Sequence, residues 1–437
     1  MTAPHLPYEL IYRILIETQR GIFGCISDNL HWDKRALASY AFVCSTWRPP
    51  AQALLFEGLS LVVGNALDHF LAFLQSAPHI ASAIRNLYLR SRWTPEIDDN
   101  TFTAGNDGEP LLQHDHEASA EPLLSPAVLM DIVGILPTLS HLHLERITLL
   151  GWPEGHPLPT RPVSLRCLNL VGITYMPSIR PGLLSFDIFS FFELDLLNLG
   201  GNAFVDGAQQ HAPPSDVLAI PGAGLPIVRD VRADGHDCFL ERNLRRGGLN
   251  ADHVHRLSLS FQNVTSEILF VGSLLGHYSR NATHIDLDIH FAHGRDELAE
   301  DDAVWQVCSL AACTQLQFLS LSWHIDNFSE LDQDRIEAYD AIVGTAPRTL
   351  FELKICMSSP RPVSKEMFEP TALILAPRIV RALSRFPCIK DVKLIMSRSF
   401  DYDGCKARVH ELLPRAVAES PVLKIEKEVP WVRGTIA

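Results

Sequence analysis

The sequence predicts an α/β chain in two parts: an all-helical segment over residues 1–60 and a strand-and-helix solenoid over residues 61–437. Three features support this. One apolar triplet, spaced apolar–x–x–apolar–x–apolar, returns from Ile84/Leu87/Leu89 to Ile389/Val392/Leu394. Its middle position recurs about every 31 residues between Leu142 and Val392, the signature of an architecture built by stacking like units. Ahead of the triplets, two stretches carry apolar residues at the three- and four-residue steps of amphipathic helices.

The first of these opens at Leu6. Pro7 suits the first turn of a helix, where its missing N–H is no loss, and Glu9 complements the positive helix start. Leu10, Ile11, Ile14 and Leu15 then form two i,i+4 pairs along one stripe. Asp33 can cap a second helix, in which Leu37, Tyr40, Ala41, Cys44 and Trp47 recur at helical spacing. Taken singly, these residues also suit a small helical cap on a larger domain.

In combination, the opening Leu6-Pro7-Tyr8-Glu9-Leu10, the Ile14-Leu15 pair, Asp33 before the second helix, and Val43-Cys44 ahead of Trp47 resemble the F-box. That motif docks a substrate receptor onto the Skp1 subunit of cullin-RING ubiquitin ligases. The resemblance covers roughly the first sixty residues, and the chain departs from the family in an insert from Gln19 to Trp32. It implies a Skp1-like partner contacted by Leu6, Pro7, Leu10, Ile11, Ile14, Leu15, Leu37, Val43, Cys44 and Trp47, with cullin and RING subunits recruited through it.

From Leu59 onward the triplets follow in order. After Ile84/Leu87/Leu89 come Leu139/Leu142/Leu144, Leu165/Leu168/Leu170, Leu194/Leu197/Leu199 and a degenerate Val228/Val231/Ala233. Then come Val254/Leu257/Leu259, Ala282/Ile285/Leu287, Leu316/Leu319/Leu321, Leu350/Leu353/Ile355 and Ile389/Val392/Leu394. The closing apolar–x–apolar step puts both apolar side chains on one face of a short strand. Helix-patterned segments fall between them at 128–136, 267–279, 304–313, 334–343 and 371–386, with another at 405–419 and a last strand at 422–425. One such unit cannot bury its inner face, whereas stacked units share a core. The pattern resembles the leucine-rich repeat, whose turn Asn has a counterpart in Leu197-Asn198-Leu199-Gly200-Gly201-Asn202, and this implies an α/β horseshoe. A doubly wound α/β fold also alternates strands and helices, but it would not repeat one strand motif ten times.

Two interruptions read as surface loops. Residues 93–121 hold eight acidic residues and no Lys or Arg, and 200–224 are rich in Gly, Ala and Pro.

Composition narrows the function classes. The 437 residues are 47% hydrophobic, ample for a large core, and the net charge of −14 argues against phosphate-driven nucleic-acid binding. No run is long and apolar enough to predict a membrane span, and the early hydrophobic stretch is broken by Glu9 and Arg13, unlike a secretory signal. Nine scattered cysteines without a C-x-x-C pair suggest reduced thiols and an intracellular chain, cytoplasmic or nuclear. The sequons at Asn263, Asn281 and Asn327 then read as chance matches.

Catalytic signatures are missing. His114-Asp115-His116-Glu117 offers metal-capable side chains inside the acidic loop but no partner pattern elsewhere. His141 with His143, and His253 with His255, alternate on expected strands and read as solvated. Gly222-Ala223-Gly224 lacks the spacing of a phosphate loop, and neither a Gly-x-Ser-x-Gly elbow nor a cysteine-protease signature occurs. The expectation is a chain with no cofactor, no metal and no catalysis of its own.

The informative surface is the polar side of the strands, which in leucine-rich-repeat proteins lines the concave face. Register places Asn86, Tyr88, Arg90, His141, His143, Glu145, Asn169 and Asn198 there. Asp230, Arg232, Asp234, Arg256, Ser258, His284, Asp286, Asp288, Phe318, Ser320, Glu352 and Lys354 continue it. For substrate contact the strongest candidates are Tyr88, His143, Asn169, Asn198, Asp230, Arg232, Asp234, Arg256, Asp286, Asp288, Phe318 and Lys354, the carboxylates forming an acidic patch suited to a basic segment. The resemblances together imply a substrate-recognition adaptor of a Skp1–cullin–F-box ligase. An F-box-like scaffold working without ubiquitin transfer is the alternative.

Overall fold

Pro7 starts the first helix as its position suggests: its carbonyl accepts the N–H groups of Leu10 and Ile11 at 3.1 and 3.2 Å. In this computed structural model, residues 7–22, 34–64, 66–91, 123–176, 183–184, 188–201, 203–204, 227–235, 249–262, 264–291, 304–325 and 333–428 are described. Leu6, Asp33, the acidic stretch 93–121 with His114–Glu117, and nearly all of 202–226 lie outside them. The chain is mixed α/β, built of parallel sheet and helices, and divides into two units, residues 1–192 with 202–222 and residues 193–201 with 223–437.

The first unit begins with the helices Tyr8–Ile22, Lys34–Ala41 and Arg48–Glu57. They share a small core of Ile11, Leu15, Leu37, Ala41, Ala51 and Leu54, flanked by Tyr12, Tyr40, Trp47 and Leu55. The strands Gly58–Val62, Asn86–Arg90, His141–Glu145 and Val163–Val171 then pair in parallel and in chain order. The helices Ala66–Ser76 and Pro126–Ile135 fall between them. A second, small parallel sheet of Leu123–Leu124, Thr148–Leu150, Thr174–Met176 and Ala203–Phe204 has no counterpart in the sequence reading. Trp152 is fully buried and stacks on Phe191 at 5.1 Å.

Among the described residues, the second unit has eight parallel strands, again in chain order: Phe192–Gly200, Val228–Asp234, Arg256–Gln262, His284–Phe291, Phe318–Ile325, Glu352–Ser358, Asp391–Met396 and Leu423–Lys427. Pairing is in register at the triplets: Leu257 faces Ile285, which faces Leu319, then Leu353 and Val392. These side chains are buried while their strand neighbours are not, the period-two burial that the triplets predicted. One hydrogen-bond device recurs at the strand entries. The carbonyl of His255 accepts the N–H groups of Thr283 and His284; Thr283, Gln317 and Phe351 do the same for the unit that follows each. Threonine hydroxyls reinforce it, Thr349 donating to the carbonyl of Leu316 at 2.9 Å and Thr138 to that of Ile84 at 2.9 Å in the first unit.

The helical segments largely follow expectation, as Thr265–Tyr278, Gln333–Ile342, Lys365–Arg385, and Tyr402–Leu412 with Arg415–Ala418. Residues 304–313 are a correction: only Val304–Cys308 is helical, and as a 3-10 turn. The N–H of Leu310 goes to the Thr345 hydroxyl at 2.8 Å, which takes the backbone out of the helical ladder. Another concerns His253 and His255, for the strand begins only at Arg256 and His253 ends a short 3-10 turn. Among the described residues no helix is long and apolar enough to cross a membrane.

Candidate partner-docking surfaces

The N-terminal helices separate their apolar residues into two sets. Ile11, Leu15 and Leu37 are fully buried, so of the ten residues expected to meet a partner these three serve the helices' own core. Leu10 is 47% exposed, Ile14 43%, Val43 62%, and Pro7 and Cys44 are exposed as well. Trp47 is half-buried against Tyr40, the rings 6.1 Å apart. Tyr8, 47% exposed, and Phe42, 82% exposed, are further large exposed apolar residues that the sequence reading did not single out. A signal existed: Ala41-Phe42-Val43-Cys44 is an unbroken apolar run at a helix end, and four consecutive residues cannot all face one core. Cys44 accepts hydrogen bonds from the backbone N–H groups of Trp47 and Thr46, which hold its thiol below the usual range.

The strand faces opposite the core carry the other expected residues. In the first unit, Tyr88, His143 and Asn169 stand side by side on consecutive strands. Tyr88 and His143 pack with ring centroids 5.4 Å apart. Burial lowers the His143 pKa, opposed by Glu145 with its carboxylate 3.7 Å away.

In the second unit the register forms rows across the sheet. One row reads Asp230, Arg256, His284, Phe318, Glu352, Asp391; the next reads Arg232, Ser258, Asp286, Ser320, Lys354, Lys393. Asn198 pairs opposite Arg232, and Asp234 opposite Ser260. The expected acidic patch is locally offset. Asp286 Oδ2 accepts from Arg256 Nε at 3.0 Å and Nη2 at 2.8 Å, and from the Ser258 hydroxyl at 3.1 Å. Further along, Lys393 donates to Glu352 at 2.7 Å and Lys424 pairs with Asp391. His284 stacks flat on Phe318 at 4.2 Å, and burial together with the neighbouring Arg256 lowers its pKa. Arg232 and Asp234 are exposed. This is a surface of mixed charge around a central aromatic pair.

Among the described residues, one group of possible metal ligands converges, Asp288 with His290 and His324. The sequence reading picked out Asp288 but not the two histidines. Their signal was register: His290 and His324 each lie five residues past the middle triplet position, so stacking the units aligns them. Compared with known proteins, the chain matches no protein-family model and finds no significant match among curated proteins.

Proposed function

We propose that this chain is a substrate-recognition adaptor of a Skp1–cullin–RING ubiquitin ligase. Its N-terminal helices are an F-box that docks a Skp1-like subunit, and the strand face of a leucine-rich-repeat-like solenoid receives a protein substrate. The observation that carries the reading is the division within the N-terminal signature. Ile11, Leu15 and Leu37 hold the helices together, while Tyr8, Leu10, Ile14, Phe42 and Val43 leave an apolar surface in water. Single exposed apolar side chains are ordinary, but so many large ones on one short helical segment are read as an interaction surface. The solenoid part rests on parallel strands that pair in chain order and in triplet register. The chain contributes proximity and orientation, and transfer chemistry belongs to the other ligase subunits.

Affinity purification of the tagged full-length chain from cells tests this. Recovery of Skp1 together with a cullin supports the ligase. Skp1 without a cullin favours the scaffold that acts without ubiquitin transfer. Recovery of neither overturns the reading.

A further inference from the structure

Two imidazoles and a carboxylate meet near the ends of two strands in the second unit. The strands His284–Phe291 and Phe318–Ile325 set His290 directly opposite His324, and Asp288 precedes His290 by two residues on the same face. The two rings stack at 4.2 Å and 12°. His324 Nε2 lies 2.7 Å from Asp288 Oδ1, and His290 Nε2 lies 3.8 Å from Asp288 Oδ2. The Ser260 hydroxyl approaches His290 Nε2 at 3.5 Å. On the next strand the Ser358 hydroxyl sits 2.5 Å from His324 Nδ1, which holds the ring with Nε2 towards the carboxylate.

One detail points to a cation. Asp288 Oδ1 is buried and accepts no well-aligned hydrogen bond, although His324 Nε2 lies 2.7 Å away. A buried carboxylate oxygen left in that state is stabilised by a positive ion among the three donors. We propose that Asp288, His290 and His324 bind one divalent cation of the zinc class, with Ser358 orienting His324.

The chemistry selects among metals. Two nitrogens and one carboxylate suit zinc and its neighbours, whereas magnesium and calcium call for oxygen throughout. The three donor atoms lie within 4.8 Å of one another. Bonds of about 2.0–2.2 Å to one tetrahedral ion need the most distant donors drawn in and the 2.7 Å pair of His324 Nε2 and Asp288 Oδ1 spread apart, and the part-exposed side chains of Asp288 and His290 have room to turn. Three protein ligands leave a position open to water or to a side chain of a bound protein. This assignment is independent of the ubiquitin-ligase reading.

Titration of the metal-stripped, full-length chain with zinc chloride by calorimetry tests it, with cobalt(II) absorption as a second readout. One saturable zinc per chain is expected, with cobalt spectra of a mixed nitrogen and oxygen site. His290→Gln and Asp288→Asn should each weaken binding at least about 100-fold, and Ser358→Ala about 10-fold, at unchanged melting temperature of the apo chain. If His324→Gln fails to fold, His290→Gln still decides. The chain has 19 histidines, so zinc taken up with undiminished affinity by His290→Gln and Asp288→Asn would place the ion elsewhere and overturn the proposal. The absence of saturable uptake by the wild type would overturn it equally.

Discussion

Leu10 and Ile11 are neighbours in the chain with opposite roles, one facing water and one facing the helical core, and Ile14 and Leu15 repeat the division. A helix turns about 100° per residue, so an adjacent apolar pair straddles the edge of a buried stripe. The stripe was legible in the sequence, but which member of each pair faces inward depends on where the other helices pack. The cysteines allow this to be checked residue by residue. Cys44 is exposed with a thiol held below its usual range by the Trp47 and Thr46 N–H groups, and the thiolate is the reactive form. Burial pushes the Cys308 thiol up to about 12 and raises that of Cys313. In the native chain at neutral pH, iodoacetamide should therefore modify Cys44 early and leave Cys308 and Cys313 untouched until unfolding, as read by mass spectrometry of peptides. Labelling in the reverse order would contradict the described packing.

Among the elements, the strands were the most legible, because a strand with one buried face alternates with period two and stacking repeats the pattern. The small sheet of the first unit escaped notice because strands of two or three residues are too short to display a period. The helix Lys365–Arg385 begins six residues before the expected Thr371. Pro370 marks a boundary in a sequence, yet here Ser364 caps the helix by accepting the Met367 N–H at 3.3 Å. Buried Phe368 and the Glu369–Arg408 ion pair hold the added turn. The most consequential change concerns Asp286, which sequence alone presents as a free carboxylate for a partner. Its three hydrogen bonds to Arg256 and Ser258 tie two neighbouring strands together instead. Asp286→Lys sets two cations side by side and should lower stability by about 1 kcal/mol in urea denaturation, the pair being partly exposed and screened. Adding Arg256→Asp should restore much of the loss. Equal stability of Asp286→Lys and wild type would mean that the pair does nothing for the fold, and that Asp286 is available to a partner after all.

For the whole molecule, the same arithmetic that shaped each unit shapes the chain. Within each of the two compact parts, repeats of about 31 residues, each too small to bury its own strand face, pair in sequence order, the last at Leu423–Lys427. That order was readable from the triplets alone. The convergence of Asp288, His290 and His324 was not, since it needs the exact register of two strands and the rotamers of three side chains. On the strand face Asp286 and Glu352 are paired locally with Arg256 and Lys393, so in the proposed reading recognition depends on shape and particular contacts more than on net field. Everything in the functional account depends on the apolar surface of the N-terminal helices. Its most direct test is the affinity of the purified full-length chain for a purified Skp1-like subunit, beside that of the Leu10→Asp/Ile14→Asp double variant. The account predicts saturable binding by the wild type and a loss of at least about 100-fold in the variant at an unchanged melting temperature, because carboxylates buried at an apolar interface cost several kcal/mol. Equal affinity of the two proteins, or no binding by the wild type, would contradict it.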